Sequence, residues 1–152
     1  QLAGGARFNV ISFNNEIASF TKSLVPASGQ NKGRAAKWVD RLRADNATHT
    51  DEALERAFAD PDVDTLILLS DGAPMKATDR DHVALAARIL ERVEELNRLR
   101  KIRIFTFGFE GEGEWPPGSK YRRGAPASDS RAMVDFLRTL AEKNGGTYTA
   151  ID

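Results

Sequence analysis

Apolar residues alternate with polar ones near the start of the chain. Residues 8–13 are also rich in β-formers, so they predict a strand, and a shorter edge strand is expected within residues 17–25, before Pro26. From Asn31 the apolar positions change to helical spacing. The predicted first helix carries Ala35, Trp38, Val39 and Leu42 on one face, with Trp38 as a core residue, and the next carries Ala53, Leu54, Ala57 and Phe58 and ends at Asp60-Pro61.

The second half of the chain contains longer apolar runs. Residues 63–69 are almost continuously apolar, which is typical of a central parallel strand covered on both faces. Thr78 with Asp81 resembles a capping box before a helix over about 81–99. A strand over 102–109, a loop over 110–130 and a helix over about 131–143 follow, and Asn144-Gly145-Gly146 indicates a helix end before a last strand over 147–151.

Strands that alternate with helices predict one α/β domain over residues 1–152, with a three-layer, doubly wound and mainly parallel sheet. Ligands of such sheets bind beyond the carboxyl ends of the strands. Loops starting at Ser70, at Glu110 and near Thr48 are expected there. Function is therefore to be sought at that edge.

Composition excludes several kinds of site. Lys plus Arg number 22 and Asp plus Glu number 22, so net charge gives no reason to expect nucleic acid. The chain has no cysteine, which excludes disulfides and thiolate chemistry. No apolar run approaches the about 20 residues that span a bilayer, so membrane insertion is not expected.

The sequence leaves the cellular compartment open, with the cell envelope or the exterior favoured over the cytoplasm. The parent chain is expected to be longer and of bacterial type.

Residues 45–54 (DNATHTDEAL) and 64–72 (DTLILLSDG) resemble the second half of a von Willebrand factor type A domain. Thr48 stands five residues before Ala53-Leu54, and Asp71 lies in Ser-Asp-Gly, as in two of the three loops of that family's metal ion-dependent adhesion site. The closing residues 136–148 also resemble the family's last helix and strand. The resemblance implies a Rossmann-like fold, Thr48 and Asp71 as ligands of Mg²⁺ (or Mn²⁺ or Ca²⁺) in the intact domain, and a protein partner that presents Asp or Glu. A fragment without the first motif is less expected to hold the ion.

The sequence departs from the family pattern at two places. Asn46-Ala47 stands where the family has Gly-Gly. The first motif, Asp-x-Ser-x-Ser, is missing, and Ser128-Asp129-Ser130 has the wrong spacing to replace it. By the resemblance, residues 1–6 are the end of the family's first helix. The sequence is therefore expected to be a fragment, or to rely on another segment in place of the first strand.

Each candidate residue also has a plainer interpretation. Thr48 with Asp51 fits a capping box, Asp71-Gly72 fits an ordinary turn, and His49 is a loop histidine without a second His or Cys beside it. In the loop over 110–130, Trp115 with Arg122 and Arg123 is typical of a partner-binding surface, and the alternative is a mobile insertion without a partner.

Three functions compete. The leading hypothesis is a cation-dependent protein-interaction module, and the second is a scaffold domain of the same fold that binds no metal. The third is a phosphotransfer or hydrolase domain with Asp71 as nucleophile, which would need a second acidic cluster that the sequence lacks. Neither a phosphate-binding loop nor a serine-hydrolase context is present, and the glycines from Gly108 to Gly113 have the wrong order for a dinucleotide loop. An enzyme is therefore not expected.

Overall fold

The computed structural model describes residues 5–14, 16–42, 49–70, 74, 81–109 and 127–151. The chain forms two compact units, Gln1–Val63 and Asp64–Asp152. The predictions for Thr48, Asp71, Trp115, Arg122 and Arg123 concern residues outside the described ones.

The first unit contains two short antiparallel ribbons. Strand β1 (Arg7–Phe8) pairs with β4 (Val25–Pro26), and β2 (Ile11–Phe13) pairs with β3 (Ile17–Ser19). The single strand predicted over 8–13 is wrong, because the pairing stops at Asn9. Its side-chain oxygen accepts the backbone N–H groups of Val10 at 2.9 Å and of Thr21 at 3.0 Å. These bonds take the place of ladder bonds where the chain passes from one ribbon to the other.

Two helices follow in the first unit. Helix α1 (Gly29–Val39) begins after Ser28, whose side chain accepts the N–H of Asn31, and α2 (Thr50–Phe58) ends just before Asp60-Pro61 as predicted. Leu42 was predicted on the face of α1, but it lies beyond the helix end and is 42% exposed. Trp38 is only partly buried, and its ring lies 6.1 Å from that of Phe20.

The second unit is a parallel sheet with helices. Its elements are β5 (Thr65–Ser70), α3 (His82–Arg100), β6 (Arg103–Phe109), α4 (Ala127–Lys143) and β7 (Tyr148–Ile151). The strands run in the order β5-β6-β7, and both neighbouring pairs are parallel. This strand–helix alternation confirms the α/β class that the apolar runs predict.

One face of this sheet holds the core of the unit. Helix α4 packs on β6 and β7, and α3 packs on α4. The most deeply buried apolar residues of this core are Val93, Ile102, Ile104, Leu137, Leu140 and Ala141. On β5, Leu68 is buried at 6% exposure, whereas Ile67 and Leu69 are 60% and 51% exposed. Successive side chains of a strand point to opposite faces, so within the described part of the second unit β5 is covered on the Leu68 face only, and the expectation of cover on both faces is wrong for that part.

The structure locates three helix ends that the sequence predicts only approximately. Asp81, not Thr78, is the N-cap of α3, and its carboxylate accepts the N–H of Ala84 at 3.0 Å. Helix α4 begins at Ala127, so the last four residues of the predicted 110–130 loop are helical. The predicted end at Asn144-Gly145-Gly146 is confirmed, since Gly145 has a φ of 68° and the N–H of Gly146 bonds the carbonyl of Ala141 at 3.0 Å.

Candidate functional site

The carboxyl ends of the three parallel strands lie at one edge of the second unit. Ser70, the last residue of β5, is in register with Gly108 of β6, and Phe109 is in register with Ile151 of β7. The chain therefore leaves β5 and β6 at the same edge, which confirms where the loops starting at Ser70 and Glu110 were expected. In open α/β sheets this is the edge at which ligands bind.

Ser70 is a buried polar residue, with only 7% of its surface exposed. Asp71 follows it directly in the sequence but lies outside the described residues. The chain is described again at Pro74, which is buried, and at the start of α3. His82 donates from Nδ1 to the carbonyl oxygen of Pro74 at 3.1 Å, so Pro74 is connected to the first turn of α3.

The start of α2 is the second place where a ligand was expected. The N-cap residue is His49, whose side chain makes no capping hydrogen bond. The helix thus begins one residue later than the capping-box interpretation of Thr48 predicts, and the hydrogen bonds of that interpretation involve a residue that is not described. Thr50 is buried at 2% exposure, and Nδ1 of His49 lies 3.5 Å from Oε1 of Glu52. Thr48 itself lies outside the described residues.

Metal ligation by the described residues alone finds no support. In the ranges given above, no three His, Asp or Glu side chains are grouped closely enough to hold an ion. His49 has Glu52 as a neighbour but belongs to no such group among the described residues. The two residues predicted as metal ligands, Thr48 and Asp71, are not among the residues searched, nor are Trp115, Arg122 and Arg123.

Sequence reasoning missed Asn97, a buried amide at the end of α3. Its exposed fraction is 6%, and it occupies the same helix stripe as three buried apolar residues, Leu85, Ile89 and Val93. The spacing of four residues along this stripe is visible in the sequence. An asparagine at the next position of this four-residue spacing is the feature of the sequence that could have identified Asn97 as a buried residue. Within the described part of the chain, no helix has the length and apolarity to cross a bilayer.

The chain is similar to known proteins over most of its length. A family model of the von Willebrand factor type A domain matches residues 1–117. The human von Willebrand factor A domain-containing protein 3A is 30% identical over 141 residues, which are 93% of this chain and 10% of that protein. The human von Willebrand factor A domain-containing protein 3B is 25% identical over 114 residues, 75% of this chain and 8% of that protein. The chain thus spans about a tenth or less of the length of these relatives.

Proposed function

This chain belongs to the von Willebrand factor type A domain family, and from that premise we propose that it is an interaction module which binds an acidic group of a partner protein through a divalent cation. Domains of this family commonly act as protein-interaction modules. The observation that carries the proposal is the position of Ser70. It is buried at the carboxyl end of β5, and the Ser-Asp-Gly sequence of the family's metal site begins there.

The proposed ligands are the Thr48 hydroxyl and the Asp71 carboxylate. A hydroxyl and a carboxylate are hard oxygen donors of the kind that Mg²⁺, Mn²⁺ and Ca²⁺ take, so these two donors suit the ion. An acidic side chain next to a buried strand end is also costly unless a cation or a hydrogen-bond donor compensates its charge. When bound, the ion supplies an electrophilic position that a carboxylate can fill.

The partner is proposed to be a protein with an exposed Asp or Glu. Trp115, Arg122 and Arg123 follow β6, whose carboxyl end is at the same edge as Ser70. Aromatic and arginine side chains are enriched among residues that contribute most to protein binding. We assign these three residues to the contact with the partner and assign no residue to catalysis.

Calorimetric titration of Mg²⁺, Mn²⁺ and Ca²⁺ into the chain tests the metal proposal. Binding heat is expected for the unmutated chain and is expected to be lost in Asp71→Ala and reduced in Thr48→Ala. Asp135→Ala removes the same charge from an exposed position of α4 and is expected to bind the ion like the unmutated chain.

Absence of binding heat and of any thermal stabilisation in the unmutated chain would overturn the metal proposal. The remaining function would then be a scaffold domain that binds no metal. The departure at Asn46-Ala47, where the family has Gly-Gly, favours that alternative, because Ala adopts left-handed backbone angles at a steric cost that Gly does not have.

A further inference from the structure

A cleft lies at the opposite edge of the second unit, where β6 begins. It has a volume of about 520 Å³ and is bounded by the last turns of α3 and α4. Its lining includes Asn97, Ile102 and Arg103, the first residue of β6. Arg103 is five residues from Gly108 along the strand, about 16 Å at the usual rise. The cleft is therefore separate from the edge at which the family's metal motif is expected.

The lining of this cleft is strongly basic. Its charged side chains are Arg98, Lys101, Arg103, Lys143 and Glu94, a local net charge of +3 in a chain with no net charge. Glu94 lies 3.4 Å from Lys143 in an exposed ion pair. Arg98 and Lys101 are exposed, and neither has an ionic partner among the described residues. Uncompensated charge is thus present at the end of α3, where Arg98 and Lys101 lie.

Helix termination explains only part of this charge. Cations in the last turn of a helix interact favourably with its terminal carbonyl groups, which accounts for Arg98 and Lys143. It does not account for Arg103, which lies on a strand. Lys101 is the C-cap of α3 with a φ of 56°, a left-handed conformation that glycine adopts at lower cost. A lysine is therefore present where the backbone alone favours glycine.

We propose that this cleft binds an acidic peptide segment of a protein partner, and that it does so without a metal ion. Charge complementarity identifies the occupant, since several cations surround an opening with a single carboxylate. The volume is within the range of about 300–1,000 Å³ that holds organic ligands, larger than one free anion requires. No aromatic side chain is among the described residues of the lining, so a nucleic-acid base would find no ring to stack on there. Peptide carboxylates need no such ring.

Fluorescence anisotropy with a labelled decapeptide of alternating Glu and Ser tests the proposal in metal-depleted buffer. The peptide is expected to bind the unmutated chain and the Asp71→Ala variant equally, because the cleft does not depend on the proposed metal site. Arg98→Gln combined with Lys101→Gln is expected to weaken binding about tenfold, as two exposed charge pairs are lost. Raising the salt to about 150 mM is expected to weaken binding as well.

The matched control combines Lys22→Gln with Lys37→Gln, two exposed lysines of the first unit, and removes the same total charge. It is expected to leave the affinity unchanged. Equal weakening by both double variants would overturn the proposal, because binding would then follow net charge and not the cleft. Equal binding of a Gln–Ser peptide, or equally tight binding of a deoxythymidine decamer, would overturn it as well.

Discussion

Asn97 donates its side-chain amide to Oδ1 of Asn144 at 2.6 Å and thereby connects the end of α3 to the residue that follows α4. The same amide donates to the carbonyl of Ile102 at 2.7 Å, and its oxygen accepts the N–H of Ile102 at 2.7 Å. Asn144 in turn donates to the carbonyl of Leu140 at 2.8 Å. Because Asn97 is buried, these bonds replace those that its amide would make with water.

Replacing Asn97 by leucine keeps the branched shape of the side chain and removes the three bonds that Asn97 makes. The N–H and carbonyl of Ile102 then lose their side-chain partner in a buried position. We expect the free energy of unfolding to fall by about 2–4 kcal/mol, since an unsatisfied buried polar group costs about 1–3 kcal/mol. Urea unfolding, monitored by circular dichroism, measures this loss in the free energy of unfolding.

Asn31→Leu is the matched control. Asn31 also donates its amide to a backbone carbonyl, that of Pro26 at 2.9 Å, but in an exposed position where water can replace the bond. We expect a loss below about 1 kcal/mol. If Asn31→Leu and Asn97→Leu lower the free energy of unfolding by similar amounts, the buried position of the Asn97 hydrogen bonds adds nothing to stability.

Gly146 lies against the backbone of β6. A Cβ at this position would be 1.9 Å from the carbonyl oxygen of Ile104 and 2.6 Å from its carbon. Gly146→Ala therefore forces the α4–β7 connection away from the strand. We expect at least about 2–3 kcal/mol of destabilisation, in the range of overpacked cores.

Gly33→Ala gives the opposite expectation for the same chemical change. Gly33 lies within α1, and a Cβ there would have nothing within 4 Å. The substitution is expected to stabilise the first unit by about 0.5–1 kcal/mol, because alanine loses less backbone entropy in a helix. Both variants are compared by their urea midpoints. Equal shifts of the same sign would contradict the contact at Gly146.

Much of the second unit was predictable from sequence because its elements are long. The apolar run ending at Ser70 and the helical spacing through Val93 determine β5 and α3 over many residues. The ribbons of the first unit have strands of two or three residues, too short for alternation to reveal their ends. The interruption at Asn9 depends on its bonds to Thr21, a contact between distant residues that no local pattern encodes.

The candidate sites were predictable to different degrees. The edge of the sheet at Ser70 follows from strand direction alone, so the sequence located it. Sequence reasoning placed the N-cap of α2 one residue early, at Thr48, whereas the helix begins after His49, whose side chain makes no capping hydrogen bond. The basic cleft was not predicted, because Arg98 and Lys143 are brought together only when α3 packs on α4.

Two neighbouring carboxylates after α2, those of Asp60 and Asp62, are expected to contribute unequally to the free energy of unfolding. Asp60 accepts the backbone N–H of Leu24 at 3.1 Å and that of Asp62 at 3.0 Å, so Asp60→Ala should cost about 1–2 kcal/mol. Asp62 forms an ion pair with Arg7 at 2.8 Å, with side chains 57% and 46% exposed.

Because water and salt screen that ion pair, Asp62→Ala should cost less than about 1 kcal/mol. Urea unfolding at low and high salt separates the two cases. The effect of Asp62→Ala should shrink as salt rises, and that of Asp60→Ala should persist. A larger effect for Asp62→Ala at both salt concentrations would contradict the bonds assigned to Asp60.

Thr106 is a polar residue in the core of the second unit, with no exposed surface, and its hydroxyl donates to the carbonyl of Leu137 at 2.8 Å. This bond connects β6 to the middle of α4. Thr106→Val keeps the shape of the side chain and removes the bond, so we expect a loss of about 0.5–1.5 kcal/mol in the free energy of unfolding. Thr149→Val, at an exposed position of β7, makes the same chemical change and should have little effect. If Thr106→Val proves neutral or stabilising, burial of the added methyl group outweighs the bond, and the contact between strand and helix is then held by apolar packing alone.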